Sequence, residues 1–275
     1  MLTMGWFSTG RGEGSLGLLQ MVQSAIESGD LSAQIQFVFS NREQGEAEGS
    51  DRFFQQVHDY DIPLVTLSSQ SFRREHGGGS FSHHRQNFDR EVMTRLEGYE
   101  PDICVLAGYG LITDIEMCNR YTMLNLHPAL PGGPVGTVQQ VIWKLIEDGA
   151  RESGAYIHLA TVDLDMGPVL TYCSFPLVGE AFDPLWREIN GRSIDDMKAA
   201  EGEDLPLFQL IRQEGMKRER PLLLETISAF ADGDIRLDGH LTLDANGNPH
   251  GMLNLNEAID RRCRRVTTVC GSSAV

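Results

Sequence analysis

Hydrophobic positions along the chain alternate between short apolar runs and longer stretches in which apolar residues recur every three or four positions. The short runs predict buried strands, and the longer stretches predict amphipathic helices. Strands are predicted over residues 2–7, 34–39, 63–67, 101–108, 123–127 and 155–159, with another beginning at residue 169. Helices are predicted over residues 16–28, 51–60, 86–98, 138–147, 204–214 and 221–232. This alternation predicts an α/β fold with a mostly parallel central sheet flanked by helices.

One predicted strand ends in polar residues that could carry chemistry. The apolar run that begins at Met123 reaches Asn125 and His127 just before it breaks into a Pro/Gly-rich loop at Pro131. Ligands of open α/β sheets bind at such strand ends, and residues i and i+2 of a strand face the same side. A carboxamide and an imidazole side by side can polarise a carbonyl and move a proton. By itself, however, such a pair is more often a turn-former beside a structural histidine.

A second motif favours the catalytic interpretation. Asp165 lies 40 residues after Asn125, just before a Gly-Pro turn that leads into another strand. Asn-x-His-Pro followed by Leu-Asp-x-Gly-Pro-Val resembles the folate-dependent formyltransferase family, most closely its members that formylate glycinamide ribonucleotide in purine synthesis. The resemblance implies a Rossmann-like formyltransferase fold, 10-formyltetrahydrofolate as co-substrate, no metal, and catalysis by Asn125, His127 and Asp165. Formyl transfer to an amine passes through a tetrahedral oxyanion, which donors such as Asn125 would stabilise.

The first strand leads into a glycine-rich loop that could bind phosphate. Residues 8–15 precede a helix, and this arrangement directs backbone amides and the positive helix end at an anion. A dinucleotide fold would place an acid after the second strand, but the sequence there is Ser-Asn-Arg, at residues 40–42. The resemblance assigns the ribonucleotide phosphate to Gly12, Gly14 and Ser15. The loop lacks the asparagine of the family, and Glu13 would repel a phosphate unless it pointed away.

The resemblance is strongest from Arg85 to Gly108, and it implies a folate site. Arg85 would reach the acidic tail of the folate, whereas Asp89 and Arg90 are expected to form an ordinary ion pair at a helix N-terminus. The remaining residues expected to bind folate are Leu111, Ile112, Thr113, His158 and Asp163. The histidine-rich stretch of residues 73–85 has no acid or cysteine at ligand spacing, so a solvated, mobile loop is expected there rather than a metal site.

The C-terminal half departs further from the family. Residues 182–203 have no obvious counterpart and are interpreted as an insertion in a catalytic domain of residues 1–232. Glu214, on the helix that follows, is expected to hold the ribose of the acceptor. Residues 233–275 are interpreted as an extension: a hairpin with a turn at residues 244–248, then a tail that is poorly ordered at its end.

Charge and composition narrow the function classes. A formal net charge of −16 argues against nucleic acid or anionic membrane as a partner, so small-molecule substrates are expected. The chain has neither a transmembrane-length apolar stretch nor a signal-peptide pattern, which predicts a cytoplasmic protein; a homodimer stays open. The five cysteines lack metal spacing, and Cys104 and Cys173 are expected to be buried.

Four alternative functions remain open from the sequence. Methionyl-tRNA formylation shares the three residues, and Tyr109-Gly110 resembles that branch, but it would need a basic surface. Formyltetrahydrofolate hydrolysis also uses the three residues. The acceptor could be another small amine, such as an amino sugar nucleotide. The chain could also be a non-catalytic folate- or nucleotide-binding relative.

Overall fold

The computed structural model describes residues 1–161, 166–239 and 241–262, which form two compact units. Of the described residues, the first unit contains 1–125, 158–161, 166–168, 227–239 and 241–249, and the second contains 126–157, 169–226 and 250–262. The proposed boundary between a catalytic domain of residues 1–232 and an extension stays a prediction.

The described residues contain ten strands and nine α-helices, and several of their limits agree closely with the sequence pattern. The strands are β1 Leu2–Phe7, β2 Ala33–Ser40, β3 Leu64–Thr66, β4 Ile103–Leu106, β5 Met123–His127, β6 Glu152–Leu159, β7 Val169–Pro176, β8 Arg236–Asp238, β9 Leu241–Leu243 and β10 Leu253–Asn254. The helices are α1 Glu13–Glu27, α2 Glu48–Asp59, α3 Ser69–Glu75, α4 Arg85–Arg95, α5 Ile115–Arg120, α6 Val138–Glu147, α7 Asp183–Glu188, α8 Ile194–Ala200 and α9 Pro206–Asp232.

Parallel pairing organises the first unit. Its hydrogen-bonded strands follow the order β5-β4-β1-β2-β3, and each of these pairs is parallel. Central strand β1 is fully buried at Met4, Trp6 and Phe7, as expected for a strand covered on both faces. Because the strands are parallel, the loops that follow β1, β2 and β4 emerge at the same edge of the sheet, where ligands bind in this fold class.

The second unit contains the neighbouring strands β6, β7 and β10, and β7 pairs with β10 in parallel. Its core includes the buried face of α6 and residues from the stretch interpreted as an insertion. Phe182, Ile189 and Met197 are all buried in this core cluster. Residues 182–203 are therefore an integral part of the core of this unit.

The predicted fold class is confirmed: a mostly parallel sheet is flanked by helices, with a C-terminal helix and a hairpin. The antiparallel hairpin consists of β8 and β9. The predicted turn at residues 244–248 follows β9: Leu243 forms an antiparallel bridge with Pro249, and Asp244 Oδ1 accepts the N–H groups of Asn246 and Asn248 at 2.8 and 2.9 Å. The tail beyond residue 262 lies outside the described residues.

One local prediction is wrong. The predicted separate helices 204–214 and 221–232 are one helix, α9, with Pro221 inside it. Proline removes one backbone N–H, but the buried Leu222, Leu223 and Ile227 that follow it favour continuation of the helix. In the histidine-rich stretch 73–85 the largely exposed loop is shorter than predicted, residues 76–80, because α3 extends to Glu75 and residues 81–83 form a 3₁₀ turn.

Candidate functional site

Strand β5 carries the two polar residues that the sequence analysis singled out, and each has a defined partner. The Nδ2 atom of Asn125 lies 3.1 Å from Nε2 of His158, on β6. The other ring nitrogen of His158, Nδ1, lies 2.9 Å from the carbonyl oxygen of Leu159. A carbonyl can only accept, so Nδ1 carries the proton and Nε2 accepts from the amide of Asn125. His158, only 1% exposed, therefore fixes the orientation of the Asn125 carboxamide.

His127 is oriented in the same way, by a backbone carbonyl. Its Nε2 atom lies 2.9 Å from the carbonyl oxygen of Pro134, in the loop that leaves β5, and its ring packs 5.0 Å from the ring of Tyr156. The carbonyl accepts, so Nε2 carries a proton, and the lone pair of a neutral ring is on Nδ1. The predicted third catalytic residue, Asp165, and the predicted folate ligand Asp163 lie outside the described residues.

A cavity of about 490 Å³ in the first unit occupies the edge where the parallel strands end. We call it the glycine-loop cavity. Its lining residues come from the loops after β1, β2 and β4, from the start of α1, from α3 and from the adjoining 3₁₀ turn: Thr9, Arg11, Ser15, Asn41, Arg42, Ser69, Gln70, Arg73, Phe81, Gly108, Gly110 and Leu111. Of the predicted site residues, Ser15 and Leu111 line this cavity.

The glycine loop is shorter than the sequence predicts, because α1 begins at Glu13 and therefore includes Gly14 and Ser15. Gly12 is the N-cap of α1, and an added Cβ at Gly12 or Gly14 would meet nothing within 4 Å, so neither glycine is required by packing. The carboxylate of Glu13 forms an exposed ion pair with Arg52 at 3.1 Å, and Glu13 does not line the cavity. Gly108 has φ +71°, and a Cβ there would lie 2.4 Å from Oγ of Ser15. A glycine is therefore needed at position 108, where the chain leaving β4 passes close to Ser15 of α1.

The segment that follows β4 is held by a buried acid. Asp89 Oδ2 accepts the backbone N–H of Asp114 at 2.5 Å, and Asp114 in turn caps α5. Burial raises the pKa of Asp89 to about 7, against the opposing effects of the Asp114 N–H and the charge of Arg85. The expected pair of Asp89 with Arg90 is wrong, because Arg90 Nε donates to Glu116 at 2.7 Å.

The predicted folate residues near this segment differ in exposure. Arg85, the first residue of α4, is half-buried, and its buried Nε has no hydrogen-bond partner among the described residues. Thr113 is buried, with Oγ1 at 3.1 Å from Sγ of Cys118, and Ile112 is half-buried beside it. Arg85 therefore has hydrogen-bonding capacity for a ligand, whereas the Thr113 side chain already has a partner.

The predicted ribose acid, Glu214, lies in the second unit. Its carboxylate accepts from Lys217 at 2.6 Å and from Arg218 at 2.9 Å. A second acid on the same helix was missed by the sequence analysis. Burial raises the pKa of the Glu219 carboxyl, and the positive charges of Arg212 and Arg220 oppose that shift.

The described residues also bear on the cysteines, on metal binding and on membrane spans. Cys104 and Cys173 are fully buried free thiols, as expected, and burial raises the pKa of both. Within residues 1–161, 166–239 and 241–262, no cluster of three or more His, Cys, Asp or Glu could hold a metal ion. None of the helices in this part of the chain is long and apolar enough to cross a membrane.

Comparison with known proteins identifies the class to which this fold and strand-end pair belong. A family model described as formyl transferase matches residues 11–180, which is more than half of the chain. The chain therefore belongs to the formyl transferase family, as its motifs predicted.

Individual relatives place it more closely within that family. Phosphoribosylglycinamide formyltransferase of Escherichia coli K12 is 27% identical over 226 residues, covering 80% of this chain and 84% of that protein. The structure of phosphoribosylglycinamide formyltransferase from Coxiella burnetii matches with a TM-score of 0.64 at 20% identity, covering 92% of this chain and 99% of that one. A formyltetrahydrofolate deformylase from Pseudomonas syringae matches with a TM-score of 0.58 at 19% identity, covering 88% of this chain and 65% of that one. At these identities, the two structural matches support the shared fold alone.

Proposed function

We propose that this protein transfers the formyl group of 10-formyltetrahydrofolate to the amine of glycinamide ribonucleotide. The observation that carries this proposal is the pair on β5, in a chain of the formyl transferase family. Asn125 is oriented by His158, and His127 is oriented by the carbonyl of Pro134. The Escherichia coli relative supports the choice of acceptor, since phosphoribosylglycinamide is another name for glycinamide ribonucleotide.

In the proposed reaction, the acceptor amine attacks the formyl carbon and a new C–N bond forms. The carbonyl oxygen gains negative charge in the tetrahedral species, and in this proposal the Asn125 amide stabilises it by donating a hydrogen bond. The bond from the formyl carbon to N10 of the folate then breaks, and the proton lost by the amine ends on N10. His127 carries this proton, with Asp165 as its proposed acidic partner. Loss of a single donor to such an oxyanion typically costs about 10²–10³ in kcat.

The remaining predicted residues bind the two substrates in this proposal. Arg85 meets the acidic tail of the folate, and Leu111, Ile112, Thr113, His158 and Asp163 surround the rest of it. Gly12, Gly14 and Ser15 bind the acceptor phosphate at the start of α1, and Glu214 contacts the ribose. Cytoplasmic localisation and the absence of a nucleic-acid partner belong to the same proposal.

The test is a spectroscopic assay of tetrahydrofolate release from 10-formyltetrahydrofolate, with and without glycinamide ribonucleotide. Release that requires the ribonucleotide supports the proposal. Release without any amine would replace it with formyltetrahydrofolate hydrolysis. No release with this acceptor, although folate binds, would mean that the acceptor is another amine or that the protein only binds folate.

Variants of His127 test the mechanism separately. His127→Ala should lower turnover by orders of magnitude and leave folate binding largely intact, because the imidazole acts in proton transfer. His58→Ala, which removes an exposed histidine of α2, is the matched control and should turn over like the unmodified protein. Full activity in His127→Ala would refute the proposed role.

A further inference from the structure

We propose that Arg42 and Arg73 form a side-chain phosphate subsite in the glycine-loop cavity. This inference rests on the proposed function, in which the acceptor carries a phosphate. These arginines would hold a phosphate monoester through their guanidinium groups. Neither belongs to the glycine loop, which the sequence analysis expected to bind the phosphate. Arg42 follows β2, and Arg73 lies on α3.

The charge of the cavity lining is the first observation. Three arginines line it and no aspartate or glutamate does, in a chain whose formal net charge is −16. In the part of the chain that the structure describes, Arg11 and Arg73 have no ion-pair partner, and Arg42 reaches only Glu46, at 3.7 Å. Such a concentration of uncompensated positive charge favours an anionic ligand.

The second observation is that buried polar atoms at the cavity lack partners. Asn41 is 4% exposed and lines the cavity, yet its Oδ1 atom has no hydrogen-bond partner among the described residues. The same holds for the buried Nε of Arg42. Buried polar groups are nearly always hydrogen-bonded in folded proteins, so atoms such as these are candidates for ligand contacts. A sugar hydroxyl could donate to Asn41 while the phosphate accepts from the arginines.

Arg42 is already held in position by the protein. With the side-chain amide of Gln70 oriented to satisfy both groups, its oxygen lies 2.6 and 3.1 Å from Nη1 and Nη2 of Arg42. The Arg42 side chain is only 15% exposed. An arginine fixed in this way loses little conformational entropy on binding, and its planar fork matches the oxygens of a phosphate.

The experiment measures binding of ribose 5-phosphate to the full chain by titration calorimetry. Arg73→Ala should raise the dissociation constant roughly 10- to 100-fold, the usual range for losing a hydrogen bond to a charged group. Arg73→Lys keeps the charge without the fork and should fall between Arg73→Ala and the unmodified protein. Arg74→Ala is the matched control: it removes the same charge one residue further along α3, at a position that does not line the cavity.

Unchanged binding in Arg73→Ala would overturn the proposal, and so would equal weakening in Arg74→Ala, since that would reflect general surface charge. Arg42→Gln provides a second variant and should also weaken binding. Ribose without the phosphate should bind equally weakly to all variants.

Turnover with glycinamide ribonucleotide separates this proposal from the proposed function. If that acceptor is correct, Arg73→Ala should raise its KM with little change in the KM for 10-formyltetrahydrofolate. If the acceptor is wrong, no turnover will be seen, but the loss of ribose 5-phosphate binding in Arg73→Ala will still support the subsite. Turnover with an unchanged KM in Arg73→Ala would refute the subsite and leave the reaction standing.

Discussion

Replacing the buried acid Asp89 with asparagine should remove a large part of the pH dependence of stability. Asp89 is 2% exposed and accepts the backbone N–H of Asp114, and burial raises its pKa to about 7. Asparagine has nearly the same shape, and its side-chain oxygen can accept the same N–H. The substitution therefore removes the ionisable group while keeping the hydrogen bond.

The magnitude follows from the difference between the folded and unfolded pKa values. Raising the pKa of Asp89 from its ordinary value of 3.8 to about 7 corresponds to about 4 kcal/mol, at about 1.36 kcal/mol for each tenfold change in proton affinity. Because the pKa of Asp89 is raised in the folded state, its contribution to stability is fully present below pH ~4, where the side chain is protonated in both the folded and the unfolded protein. The contribution is lost as pH rises, because the unfolded chain releases its proton first, and it levels off above pH ~7. Between pH 5 and pH 8 the expected loss is about 2.5 kcal/mol.

The assay is urea unfolding of both proteins at pH 5, 6, 7 and 8. Every other titrating group is common to the two proteins, so the difference between their unfolding free energies isolates Asp89. That difference should move by about 2.5 kcal/mol in favour of Asp89→Asn as pH rises from 5 to 8. A difference that stays constant within about 0.5 kcal/mol would refute the reasoning, because it would mean that the Asp114 N–H and Arg85 stabilise the ionised carboxylate.

Two further substitutions test the geometry around the proposed site. Gly108→Ala should lower the unfolding free energy in urea by about 2 kcal/mol, because φ is +71° and the new Cβ would lie 2.4 Å from Ser15 Oγ; unchanged stability would show that the loop relaxes at no cost. His158→Leu should lower kcat about tenfold in steady-state assays, because the Asn125 amide loses the acceptor that orients it. Unchanged kcat would show that something else orients this amide.

Local signals in the sequence were enough to place several elements. The limits of β1 agree with the prediction because its mostly apolar run leads directly into the glycine-rich loop. Those of α6 agree because Thr137 and Gln140 form a capping box, with their reciprocal hydrogen bonds at 3.3 and 2.8 Å. Helix α1 begins at Glu13, earlier than the predicted residue 16, since an acid in the first turn interacts favourably with the helix dipole.

Elements fixed by tertiary contacts could not be read from the sequence. The pattern stops helices at proline, whereas α9 continues through Pro221 because the residues after it are buried. Strand β10, Leu253–Asn254, is too short to show a period. It is held against β7 by Asn256, whose Oδ1 accepts the N–H of Ser174 at 2.8 Å. Such a contact depends on residues 82 positions apart.

The candidate site also has one part that the sequence predicted and another part that only the folded structure shows. Asn125 and His127 were found because they share a strand, and a period of two places them on one face. The role of His158 as the hydrogen-bond partner of Asn125 depends on a residue 33 positions further along the chain, which only the folded structure reveals. The arginines of the glycine-loop cavity, at residues 11, 42 and 73, are likewise separated along the chain by whole secondary-structure elements, so only the fold brings them to one cavity.

Ion pairs elsewhere in the first unit show why the arginines of the glycine-loop cavity indicate a ligand. Arg90 and Arg120 are exposed and are paired with Glu116 and Glu100 at 2.7 and 2.6 Å, as expected where acids outnumber bases. Exposed pairs of this kind contribute little to stability. Arg73 lies in the same acidic protein and has no such partner among the described residues, yet it lines the cavity beside the start of α1. An arginine that could readily have been paired, but instead faces a cavity, is better explained by an anionic ligand than by the fold.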